Sequence, residues 1–107
     1  MVIYEKRTYQ VMVGHMAEVI RVYSELGYPL FERAGFAKNL VGYFVSDTGA
    51  LHQLIHIWRF EDDAARRAFW ATLAAHPEFQ GFAGQVRPHV HSQDVQLMVS
   101  APWGPRP

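Results

Sequence analysis

The stretch Leu51–Phe60, Leu-His-Gln-Leu-Ile-His-Ile-Trp-Arg-Phe, constrains the fold more than any other in this chain. It has no Gly or Pro and is rich in β-branched and aromatic side chains, so it reads as a strand. Successive strand side chains point to opposite faces. One face therefore carries His52, Leu54, His56, Trp58 and Phe60, and the other Leu51, Gln53, Ile55, Ile57 and Arg59. Neither face is polar throughout, as a solvated face would be. Both are expected to be covered, which makes this a central strand with helices on one side and a second layer on the other.

The flanking segments supply the rest of a sheet. Val2–Met12 reads as a first strand, with Ile3, Glu5, Arg7, Tyr9 and Val11 sharing a face and Gly14 ending it. From His15 to about Ala34, apolar residues recur at three- and four-residue spacing, the stripe of an amphipathic helix. Gly27-Tyr28-Pro29 interrupts that stripe. Proline removes a helix hydrogen bond and clashes with the preceding turn, so a kink or break is expected there, with Gly35 as the helix stop. Asn39–Val45 reads as a second strand, joined to the third through the turn signal Asp47-Thr48-Gly49. Glu61-Asp62-Asp63 suits the N-terminus of a helix over Ala64–Ala75. The expected buried side of that helix is Ala65, Ala68, Phe69, Thr72 and Leu73, with Arg66-Arg67 on a solvated face. Pro77 opens a short third helix through about Ala83. His91–Val99 reads as the last strand.

The order strand, helix, strand, strand, helix, strand is that of the ferredoxin-like α+β fold. The expectation is a four-stranded antiparallel sheet with two main helices, forming a single domain over residues 1–100, followed by a Pro-rich tail over 101–107. In that topology the first and third strands are central neighbours, so Glu5, Arg7 and Tyr9 lie beside the His52–Phe60 stretch. Two helices cover only one sheet face. The cheapest cover for the other face is a second copy related by a two-fold axis.

Charge and composition restrict the partners. Ten Lys plus Arg balance ten Asp plus Glu. That balance gives no bulk attraction to nucleic acid or anionic membrane, and nothing that discourages self-association. There is no Cys, hence no disulfide, thiolate metal site or thiol nucleophile. The N-terminus lacks the apolar core of a signal peptide, and no run approaches the ~20 apolar residues of a membrane span, so a cytoplasmic protein is expected.

Several short pieces, in this order and spacing, resemble the NIPSNAP family over about Val2 to Val99. They are Tyr4-Glu5-Lys6-Arg7-Thr8-Tyr9, Gly14, Gly42-Tyr43-Phe44, Gly49, His56-Ile57-Trp58 and the Arg-bearing helix from Ala64. The chain departs from the family pattern at His52, Phe60 and Phe79, where Asn, Tyr and Trp are usual. The resemblance implies a dimeric α/β barrel, a homodimer whose two sheets face each other. Related families include cofactor-independent oxygenases, haem-degrading enzymes and small isomerases, and fold alone does not choose among them.

Glu5, Arg7, Tyr9, His52, His56 and Trp58 form the candidate site, because strand alternation and neighbouring strands place them on one face. On an otherwise apolar surface they suit the polar group of a small apolar ligand. His56 has the pKa range of a general base, and Arg7 the geometry to hold a carboxylate or enolate oxygen. The competing reading is a structural network in which Glu5 and Arg7, about 6.5–7 Å apart along the strand, pair with each other. His52 and His56 lie ~13 Å apart on a strand and cannot share one zinc, whose Zn–N distances are about 2 Å. His89 and His91 sit beside Pro88 at a loop exit with no third ligand. No metal and no cofactor is expected, since phosphate loops, dinucleotide fingerprints, GxSxG elbows and zinc-finger spacings are all missing. The aromatics Tyr23, Phe31, Phe69, Trp70, Phe79 and Phe82 either fill the core or line a pocket between helices and sheet. Two function classes follow. The favoured one is a homodimeric binding or interaction module of unassigned biochemical activity. The alternative is a cofactor-independent oxygenase or isomerase acting on a small aromatic or polyketide-like substrate.

Overall fold

Ile3–Val11 forms β1 and Gln53–Phe60 forms β3, paired antiparallel with Glu5 opposite Trp58 and Arg7 opposite His56. Leu40–Val45 (β2) pairs with β3, and Val90–Met98 (β4) pairs with β1. The sheet order is β2-β3-β1-β4, antiparallel throughout, which is the ferredoxin-like α+β arrangement. The structure is a computed structural model and describes residues 1–107.

The first helical segment holds the expected interruption as a change of helix type. It runs as α1 (Met16–Val22), a π-helical stretch over Tyr23–Gly27, and α2 (Tyr28–Arg33). A wider turn accommodates Pro29, whose ring would otherwise meet the carbonyl four residues back. Gly35 adopts φ 85°, the left-handed stop. α3 (Asp63–Ala75) is capped by Asp62, whose carboxylate accepts from the Ala65 amide at 2.8 Å. α4 (Phe79–Val86) continues past Ala83, because Gly84 keeps an ordinary φ and Val86 extends the buried side made by Phe82 and Ala83.

These helices pack on the face of the sheet that carries Trp58 and Phe60. The core there joins Val22, Leu30, Phe31, Leu73, Phe82 and Val86 to those two strand residues. The cover stops short of β4. Cross-strand partners share a face, so Val95 and Leu97, opposite Arg7 and Glu5, are on the helix side, yet they are 51% and 47% exposed. The opposite face of β3 presents Ile55 and Ile57, half-buried within one chain, beside Phe44, which is 53% exposed. After β4 the chain is irregular, and the Tyr4 hydroxyl donates to the Pro107 carbonyl at 2.7 Å. No helix is long and apolar enough to cross a membrane.

Candidate functional site

The strand register sets out the site as a row across the sheet. Tyr43 on β2 stands opposite His56 on β3, His56 opposite Arg7 on β1, and Arg7 opposite Val95 on β4. Arg7, His56 and Tyr43, with Tyr9 and Trp58 beside them, floor a cavity of about 170 Å³. Its roof comes from Tyr23, Phe31, Trp70, Phe79 and Phe82 on the helices, and Arg87 and Gln93 stand exposed at its mouth. The aromatic residues are thus core and pocket wall together. Tyr23, Phe31 and Phe82 meet edge to face at 5.0–5.6 Å, which keeps the wall rigid.

His56 is 3% exposed, stacked on Tyr43 at 4.9 Å and met edge-on by Tyr9 at 4.9 Å. The Trp58 indole N–H donates to His56 Nδ1 at 2.6 Å. Burial, and then the positive charge of Arg7, push the imidazole down from its usual 6.5 to about 3. The ring is therefore neutral near pH 7. With the Nδ1 lone pair occupied, its proton is on Nε2. That Nε2 is buried with no hydrogen-bond partner, as is the Tyr43 hydroxyl, whose phenol burial pushes well above its ordinary range.

Glu5 lies beside the floor on the same sheet face, under α3, with no exposed surface. Its Oε2 accepts from Arg7 Nη1 at 2.9 Å, and its Oε1 accepts from Arg66 Nη1 at 2.9 Å and Trp70 Nε1 at 3.1 Å. Arg7 also donates from Nε to the Tyr9 hydroxyl at 3.1 Å, and its guanidinium lies 4.8 Å from the centre of the Trp70 ring. This network fixes the direction of Arg7. Removing a partner from such a buried pair is costly, since it leaves an uncompensated charge.

The helix side that builds this network differs from the expected one. Ala65, Ala68 and Thr72 are exposed, and α3 turns Arg66, Phe69, Trp70 and Leu73 toward the sheet. The expected stripe favoured small apolar residues. The observed one is set by long side chains that span the gap to Glu5, with their polar ends satisfied there. A signal was present: a carboxylate on a strand face bound for the core needs several donors, and Arg66 and Trp70, four apart, share one helix face.

Of the six candidate residues, Arg7, Tyr9, His56 and Trp58 line the cavity, and Glu5 holds Arg7 from beside it on the same face. His52 stands apart. Its φ is 60°, β3 begins only at Gln53, and the His52 carbonyl accepts from the Val11 amide at 2.7 Å. The strand alternation begins one residue after it because the backbone at His52 is left-handed. No group of three or more His, Asp or Glu side chains is placed to hold a metal ion.

Comparison with known proteins agrees with this fold. The NIPSNAP family model matches residues 4–105. A NIPSNAP family protein from Agrobacterium tumefaciens superposes with a TM-score of 0.90 at 28% identity, over 98% of each chain. An uncharacterized NIPSNAP domain protein from Burkholderia xenovorans gives 0.85 at 26% identity, over 97% of this chain and 99% of that one. A cofactor-independent oxygenase from Streptomyces nogalater gives 0.65 at 18% identity over 98% of each chain, a likeness of fold alone. No curated protein sequence matches the chain.

Proposed function

The chain belongs to the NIPSNAP family, and on that footing we propose that it is a homodimeric small-molecule-binding module. Its cavity between sheet and helices would take one ring-sized, largely apolar ligand bearing an oxygen acceptor. The observation that carries this is the buried, unpartnered Nε2–H of His56 in an aromatic-walled cavity. A buried donor left unmade costs about 1–3 kcal/mol, and a ligand oxygen would satisfy it. Size supports the reading, since an apolar cavity of about 150 Å³ holds a benzene molecule, close to the ≈ 170 Å³ here. His56 serves in this reading as a donor rather than a base, because the indole of Trp58 occupies the lone pair a base would need.

Acetophenone and ethylbenzene test it as a matched pair with and without an acceptor oxygen. Trp58 and Trp70 border the cavity, so tryptophan fluorescence reports binding. The expected result is saturable binding of acetophenone, about tenfold tighter than ethylbenzene, as one hydrogen bond is worth about 1.4 kcal/mol or less. In His56→Phe the difference should narrow to what the Tyr43 hydroxyl alone can donate. Acetophenone that leaves both the fluorescence and the His56 Nε2–H resonance unchanged would sink the proposal. The dimer is supported by the apolar Phe44, Ile55 and Ile57 on the face that the helices leave bare.

A further inference from the structure

The charges around the cavity are one-sided. Its lining contains Arg7 and Arg87 and no Asp or Glu. Glu5, beside the floor and under α3, answers two guanidiniums at once, those of Arg7 and Arg66. Arg66 in turn shares Asp63 with Arg67, so this chain of ion pairs holds three cations and two anions. Arg87 makes no salt bridge, and its Nη1 donates only to the neutral amide oxygen of Gln80, at 3.2 Å. Charges facing a cavity of low dielectric act more strongly than in water, so a cationic ligand is repelled and an anionic one held.

The polar groups are also sorted by position. Tyr43, His56 and Arg7 stand on adjacent strands, about 4.8 Å apart in the sheet. Beyond Arg7 the row continues to exposed Val95 on β4. A ligand lying along the row meets two buried, unpartnered neutral groups at its inner end, His56 Nε2–H and the Tyr43 hydroxyl. At its outer end it meets guanidiniums and the exposed amide of Gln93.

We propose that the cavity selects a monocyclic aromatic carboxylate bearing a second oxygen opposite the acid group, with the carboxylate toward Arg7 and Arg87 and the other oxygen on His56 and Tyr43. The proposal rests on the ligand-binding reading of the same cavity and adds the charge and polarity of what it binds. Such a molecule has one ring, which the volume admits, and one anionic end, which matches the uncompensated cation at the mouth. Arg87 acts here as a specificity-determining residue, holding no part of the core.

Titration calorimetry with 4-hydroxybenzoate, its uncharged amide 4-hydroxybenzamide, and acetophenone separates the two levels of the argument. We expect the acid to bind at least about tenfold tighter than the amide, since hydrogen bonds to charged groups exceed neutral ones. Arg87→Gln should reduce that preference several-fold, leaving the unfolding midpoint unchanged. An acid that binds no tighter than the amide, while acetophenone still binds, overturns the charge selection and leaves the cavity reading in place. A preference that persists undiminished in Arg87→Gln also overturns it. If none of the three ligands binds, the cavity reading falls and takes this proposal with it.

Discussion

At the residue scale, His56 links stability to pH in a way its sequence context does not reveal. Its folded-state value of about 3 lies below the ordinary 6.5, so the unfolded chain binds a proton that the folded one refuses. The stability from keeping it neutral is complete above pH 6.5 and is lost as pH falls toward 3. The slope is up to about 1.4 kcal/mol per pH unit. His56→Gln removes this term while retaining an acceptor for the Trp58 indole. Urea denaturation at pH 6.5 and pH 4.5 should show the wild type losing about 2–3 kcal/mol more than the variant over that interval. Equal losses would mean that His56 is not held neutral. Glu5 teaches a related lesson. Its place on a core-facing strand was legible from alternation, but its donors Arg66 and Trp70 lie 61 and 65 residues away, a distance that only docking of α3 closes.

At the scale of elements, the Gly27-Tyr28-Pro29 interruption shows how a local signal acquires a tertiary reason. Proline chemistry announced a disturbance, and the chain answered with a π-helical stretch. What Gly27 itself does depends on α4. A Cβ at that position would sit 2.5 Å from Phe82 Cε1 and 2.7 Å from Cζ, so the glycine lets Phe82 reach the cavity roof. Gly27→Ala should therefore destabilise by about 1–3 kcal/mol, as overpacking does, despite the better helix propensity of alanine. Gly81→Ala on α4 meets nothing within 4 Å and should be neutral or stabilising by up to about 1 kcal/mol. Chemical denaturation midpoints of the pair separate the two effects, and a Gly27→Ala protein as stable as Gly81→Ala would refute the packing argument. The helix ends were more legible, because the Asp62 cap and the left-handed Gly35 use chemistry that is local in sequence.

At the scale of the whole molecule, the two faces of the sheet have separate tasks in our reading. One face holds the cavity, and the other, with Phe44, Ile55 and Ile57, meets a second copy. Light scattering should find a dimer at micromolar concentration, and Ile57→Glu should convert it to a monomer, since a charge buried in an apolar contact is costly. Binding of acetophenone should survive if the cavity keeps its shape, because Ile57 points away from it. A wild-type protein that stays monomeric would remove the two-sheet assembly from the proposal.

What the sequence determined by itself was everything written in short periods. Strand alternation assigned Glu5, Arg7, Tyr9, His56 and Trp58 to one face, and helix spacing, caps and turn residues delivered the element order and, with it, the sheet topology. These signals are local because backbone geometry repeats every two residues in a strand and every 3.6 in a helix. The tertiary structure alone decided which side of α3 faces the sheet, that His52 falls outside the site, and that Arg87 and Gln93 stand at the cavity mouth. Apart from His52, which its left-handed backbone turns away, those outcomes depend on how long side chains meet across the gap between layers. That meeting is fixed by packing and by the need to satisfy buried polar groups, and neither has a period that a single sequence displays.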